Sequence, residues 1–107
     1  MMTTNIPHID ISQAVIAEFC QRWKITKMEL FGSVLRDDFG PNSDLDVLVT
    51  FVPDAHWTLF DLVDMRDEFI ALSGRSVDFL TRKSIERSRN DIRRKAILES
   101  AQVIYEV

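Results

Sequence analysis

The sequence has a single cysteine, Cys20, so no disulfide can form within the chain. Its only two histidines, His8 and His56, fall in turn-like segments. No Cys/His cluster exists, which excludes the usual structural zinc sites. Glycine and proline occur three times each, too rarely for a fibrous or linker-like chain. A Walker A loop and a Gly-x-Gly-x-x-Gly turn are both missing, which argues against P-loop and dinucleotide-binding folds. Ser33 has no nearby histidine base, so a serine-nucleophile enzyme is disfavoured. The apolar runs are far shorter than the roughly 20 residues of a membrane span. The start, Met-Met-Thr-Thr-Asn-Ile-Pro, lacks the basic and apolar segments of a signal peptide. The expected location is the cytoplasm, with no membrane contact.

What remains is an ordinary globular composition. The chain has 107 residues, 46% hydrophobic and 28% charged. That suits one compact domain over residues 1–107 with a small core. The formal net charge of −4 is uneven. Residues 82–95 contain seven basic side chains and two acidic ones, Glu86 and Asp91, a local +5 against −9 elsewhere. That stretch reads either as a solvated helix face or as a surface for an acidic partner or nucleic acid. Arg87, Arg93, Arg94 and Lys95 are the candidates for such contact.

Periodicity outlines the elements. Asp10 is a candidate cap, with Ile11, Val15, Phe19 and Trp23 on one face of a helix of about 10–23. Residues 27–31 alternate as a short strand, ended by Gly32-Ser33. A helical turn and a turn-rich loop occupy 34–43. Leu45 to Phe51 reads as a buried strand, and a helix of about 58–73 stops near Gly74. Trp57 and Phe60, near its start, read mainly as core residues. Ser76 to Leu80 is a third strand. A basic helix over about 84–98 would turn Ile85, Ile92, Ala96 and Leu98 inward, and Val103 to Tyr105 would close as an edge strand. The expected fold class is α/β (α+β), a small mixed sheet of about four strands flanked by helices.

Chemistry concentrates in residues 32–46. Asp44 and Asp46 are two apart, so at a strand start they project from one side, with Leu45, Val47 and Val49 on the other. Two such charges repel by about 3–4 kcal/mol at ~5 Å and an effective dielectric of ~20. A divalent cation offsets that repulsion, and hard oxygen ligands suit Mg²⁺ shared with phosphates. Taken alone, the same pair also reads as a turn cap and a solvated strand end. Asp78 interrupts an apolar strand, Val77-Asp78-Phe79, and points away from both neighbours. Beside residues 45–51 it would complete a carboxylate triad; alone it also reads as an edge residue. Gly32-Ser33 permits close backbone approach to a phosphate, with the hydroxyl as a donor. Arg36, a turn further on, faces a phosphate or braces the loop against a neighbouring aspartate.

The full stretch, GSVLRDDFGPNSDLDVLVTF followed by VDFL, resembles the nucleotidyltransferase superfamily with a DNA-polymerase-beta-like palm. It looks most like the minimal nucleotidyltransferases of bacteria and archaea. The resemblance covers residues 26–80 directly. It implies a palm fold with Asp44, Asp46 and Asp78 as catalytic metal ligands for Mg²⁺, two ions in the full pattern. Asp78 would also help deprotonate the attacking hydroxyl. Gly32, Ser33, Arg36 and Ser43 would bind the nucleotide. The Arg36-Asp37 pair departs from the commoner Arg-Gly or Arg-Glu, so no role passes to Asp37.

The implied reaction moves a nucleoside monophosphate, AMP from ATP, to a hydroxyl, with pyrophosphate leaving. Minimal nucleotidyltransferases often act as antitoxins of an all-helical HEPN toxin, adding AMP to one of its tyrosines. The resemblance therefore implies a HEPN-type partner. Two alternatives stand beside it. One is a non-catalytic antitoxin that covers its toxin or represses its operon, binding DNA through residues 82–95. The other is a small-molecule nucleotidyltransferase, disfavoured because no acceptor domain is present.

Overall fold

The computed structural model describes residues 11–32 and 44–107. The first helix, α1, spans Gln13–Arg22. Ser12 caps it, its Oγ accepting from the Val15 N–H at 3.2 Å. The expected cap, Asp10, lies outside the described residues, as does the expected turn and loop from 34 to 43. Ile16, Phe19 and Cys20 are buried, whereas Val15 is 37% exposed. The inward face is thus rotated by about one residue from the Ile11–Val15–Phe19 series. Burial pushes the Cys20 thiol up to about 12, which keeps it protonated and unreactive at neutral pH.

Four strands follow: β1 Ile25–Phe31, β2 Leu45–Phe51, β3 Val77–Thr81 and β4 Gln102–Glu106. They form one sheet in the order β3-β2-β1-β4. β1 is antiparallel to both β2 and β4, while β2 and β3 run parallel. The sheet is therefore mixed and four-stranded, as expected. The parallel pair is joined by a crossover helix, α2, Leu59–Ser73. Its start carries a capping box between Thr58 and Asp61, and its end is Gly74 at φ 69°.

The two sheet faces carry different layers. On one, α1 and α2 bury Phe19, Met28, Leu30, Val47, Val49, Met65 and Phe69. Phe19 packs edge-on against Phe69 with ring centroids 5.3 Å apart. Trp57 joins this core, stacking edge-on against Trp23 and donating its indole N–H to the Trp23 carbonyl at 2.9 Å. Phe60 does not: it is 83% exposed. Arg22 pairs with Glu68 across α1 and α2, and Trp23 Nε1 donates to the same carboxylate at 3.0 Å. The Arg22 guanidinium, with help from that indole, holds the Glu68 carboxyl below its ordinary range. Its contribution to stability is therefore present at neutral pH and is lost as pH falls through that lowered value.

The other face carries a smaller cluster of Phe31, Leu48, Ile85 and Ile97. The basic segment covering it is two helices, not one. α3 spans Arg82–Glu86 and α4 spans Asp91–Ser100, with Asn90 capping the second through the Arg93 N–H at 3.1 Å. The break resets the helical phase. Ile85 is buried as expected, but Ile97 takes the inward position while Ile92 is 84% exposed and Ala96 also faces outward. Leu98 packs at the margin of this cluster. β4 lies at the sheet edge, slightly longer than the expected 103–105 strand.

Candidate active site

The register places the predicted carboxylates at one end of the second face. β1 and β2 pair Phe31 opposite Asp46, and β2 and β3 pair Asp46 beside Asp78. Register partners on neighbouring strands share a face and sit about 4.8 Å apart. Asp46 and Asp78 are therefore adjacent, on the side opposite Leu45, Val47 and Val77. Like charges placed directly side by side destabilise a sheet. A functional constraint is a physical reason to keep them there. The Leu45 N–H donates to the Ser76 carbonyl at 2.8 Å, fastening the two strands at the level of the site.

Gly32 completes this corner. It follows directly on β1 at φ 78°, a region that L side chains avoid. A Cβ built there would lie 2.2 Å from Asp46 Oδ2. The Asp46 carboxylate thus lies over the Gly32 backbone, in the space that a side chain at residue 32 would need. Position 32 is glycine for two independent reasons, backbone conformation and close approach.

Asp44 is exposed and lies just before β2 rather than inside its ladder. Among the described residues, no group of three or more Asp, Glu, His or Cys side chains gathers closely enough to hold a metal. The structure therefore brings together Asp46, Asp78 and Gly32, with Asp44 at the mouth. Ser33, Arg36 and Ser43 lie outside the described residues. Two facing carboxylates with a side-chain-free corner still fit Mg²⁺. That ion is commonly held by one or two protein carboxylates, with water and substrate phosphates completing its shell.

The alternation of residues 27–31 places a further acidic side chain on this face. Glu29 points to the same face as Phe31 and Asp46, being opposite Leu48 in the register. It is 4% exposed and bonded to Arg82, whose Nη1 lies 2.7 Å from Glu29 Oε1. An acidic residue at an inward strand position before Gly32 was the cue. Farther along this face, Lys27, Thr50, Arg82, Lys83 and Glu86 line a cavity of about 440 Å³. Thr50 lies four residues along β2 from Asp46, so this cavity is separate from the carboxylate corner.

The family profile described as nucleotidyltransferase domain matches residues 13–104. The chain belongs to the nucleotidyltransferase domain family. Nothing among curated proteins matches its sequence. Solved structures agree on the nucleotidyltransferase fold. A chain described as a putative minimal nucleotidyltransferase is 27% identical with a TM-score of 0.64, covering 84% of this chain and 86% of that one. A toxin–antitoxin crystallised with AMP-PNP is 15% identical with a TM-score of 0.69, covering 91% and 75%. The toxin–antitoxin MntA–HepT is 14% identical with a TM-score of 0.60, covering 89% and 70%. The carboxylate corner of this nucleotidyltransferase lies within the matched region, and no helix among its described residues is long and apolar enough to cross a membrane.

Proposed function

We propose that this nucleotidyltransferase moves AMP from ATP to a hydroxyl on a helical HEPN-type toxin, a tyrosine, and so acts as its antitoxin. The observation that carries the catalytic part is the Asp46–Asp78 register pair beside Gly32. Support for a toxin partner comes from the fold shared with toxin–antitoxin assemblies, one of them bound to AMP-PNP. Asp46 and Asp78 would hold Mg²⁺, with Asp44 as a further ligand. Bound there, the ion would supply Lewis-acid polarisation of the phosphate oxygens and neutralise their charge.

The chain's own residues do the rest. Gly32 lets the Asp46 carboxylate lie over the backbone at the triphosphate site, and Gly32, Ser33, Arg36 and Ser43 bind the triphosphate. Asp78 accepts the proton of the acceptor hydroxyl. The hydroxyl oxygen then forms a bond to the α-phosphorus, and the bond to pyrophosphate breaks. Positioning and charge complementarity supply most of the acceleration in such transfers. The protein functions in the cytoplasm, where ATP and Mg²⁺ are abundant.

The test is direct. Purified protein, ATP, Mg²⁺ and the helical partner are expected to yield a partner heavier by one or more AMP units in intact-mass spectra. A partner of unchanged mass would sink the proposal. Asp44→Ala plus Asp46→Ala is expected to abolish the adduct. Full protection of cells by that double variant would show that neutralisation is steric.

A further inference from the structure

Glu29 is a buried charged side chain that the transfer reaction leaves unused. Its side chain is 5% exposed, and Arg82 Nη1 donates to it at 2.7 Å. Arg82 Nε also donates to Glu86 Oε2 at 3.1 Å. A buried ion pair adds little net stability over apolar side chains of the same volume. Its value lies in what it holds in place.

The pair links β1 to the first residue of α3, directly after β3, and these two strands do not touch. β1 and β3 flank β2 on opposite sides. Glu29 belongs to β1, and Arg82 is the residue directly after β3. The bridge therefore crosses over β2 on the face that carries Asp46 and Asp78. β3 needs such a tie. It is a five-residue edge strand laddered to β2 alone; Val77 is buried, Phe79 and Leu80 are only partly buried against the two clusters, and Asp78 is exposed. Val77 and Phe79 set the register of β3 from the main-core side, and the Glu29–Arg82 bridge ties its end from the other side; a one-residue slip sends every side chain to the opposite face. Here a slip would put Val77 or Phe79 beside Asp46 in place of Asp78.

Resting on the reading of Asp46 and Asp78 as the catalytic carboxylates, we propose that the Glu29–Arg82 pair is a positioning device: it pins β3 across β2 and holds Asp78 beside Asp46. Arg82 suits the task because one planar guanidinium meets Glu29 and Glu86 together.

The test uses the full chain. Glu29→Met with Arg82→Met replaces the pair with apolar side chains and is expected to keep stability near wild type. Amide exchange over residues 78–81 is expected to rise about tenfold in it, with α1 and α2 unchanged. Affinity for Mn²⁺ alone, read by electron paramagnetic resonance, is expected to fall about tenfold. Wild-type exchange at 78–81 overturns the proposal. So does raised exchange with wild-type Mn²⁺ affinity, because the pair then braces the edge without positioning Asp78. If the double variant does not fold, Arg82→Lys carries the test. It keeps the charge but not the two-sided fork, and unchanged exchange at 78–81 there is equally contradictory. Asp46→Asn separates this inference from the reading beneath it: Mn²⁺ binding that Asp46→Asn fails to weaken overturns the carboxylate site itself.

Discussion

Asp46→Asn is expected to lower AMP transfer by roughly a thousandfold or more while the protein stays folded. The substitution keeps the shape of the side chain and removes its charge. Asp46 occupies the centre of the corner: Asp78 beside it, Phe31 opposite, Gly32 beneath its carboxylate. No other side chain in the register can take its place. The same change relieves a like-charge pair, an effect of about 0.2–1 kcal/mol. The fold should therefore persist as activity disappears. Thermal melts and initial rates on one preparation check this, and parallel loss of both would point to a structural role. Asp78→Asn is expected to behave the same way.

Gly32→Ala carries the second large effect. Its φ of 78° places a Cβ in the left-handed region, at a cost of about 1–2 kcal/mol. The new Cβ would also lie 2.2 Å from Asp46 Oδ2, so the carboxylate must move. Misplacing a reacting group by about 1 Å can cost on the order of a hundredfold in rate. Gly74→Ala is the matched control. Gly74 has a similar φ of 69°, but nothing lies within 4 Å of a Cβ there. Both variants should melt several degrees lower, on the usual scale of roughly 4–8 °C per kcal/mol for a domain this size. Only Gly32→Ala should lose transfer. Equal activity in the two variants would remove Gly32 from the site.

Particular residues explain how far the sequence could be read. β2 and α2 were legible almost to the residue because each has unambiguous ends: Pro53-Asp54 after the apolar run, Thr58 and Gly74 around the helix. The pairing of Asp46 with Asp78 was legible only as a condition, since strand order is a tertiary fact. The parallel β2–β3 ladder supplies it. The basic segment misled because charge is continuous over 82–95 while the backbone is not. Ser88 to Asn90 interrupts the helix, and Asn90 restarts it in a new phase, so Ile97 replaces Ile92 and Ala96 in the core. Glu29 escaped notice for a different reason. A buried carboxylate becomes meaningful only when its counter-ion is known, and Arg82 lies 53 residues away in sequence.

The charge balance also takes a structural form. Part of the basic excess is spent internally, with Arg82 on Glu29 and Glu86 and Arg94 on Asp91. Arg87, Arg89, Arg93 and Lys95 remain exposed. The acidic pair at Asp46 and Asp78 sits on the same sheet face, beyond the Phe31–Leu48 cluster.

The central claim is that this corner transfers a nucleotidyl group, and the fate of labelled ATP tests it most directly. The protein is incubated with Mg²⁺, the helical partner and ATP labelled at either the α- or the γ-phosphorus. Label from the α-position is expected to become covalently attached to the partner, while γ-label leaves in pyrophosphate; Asp46→Asn should stop both. Attachment of γ-label, or no attachment of either, would contradict the account.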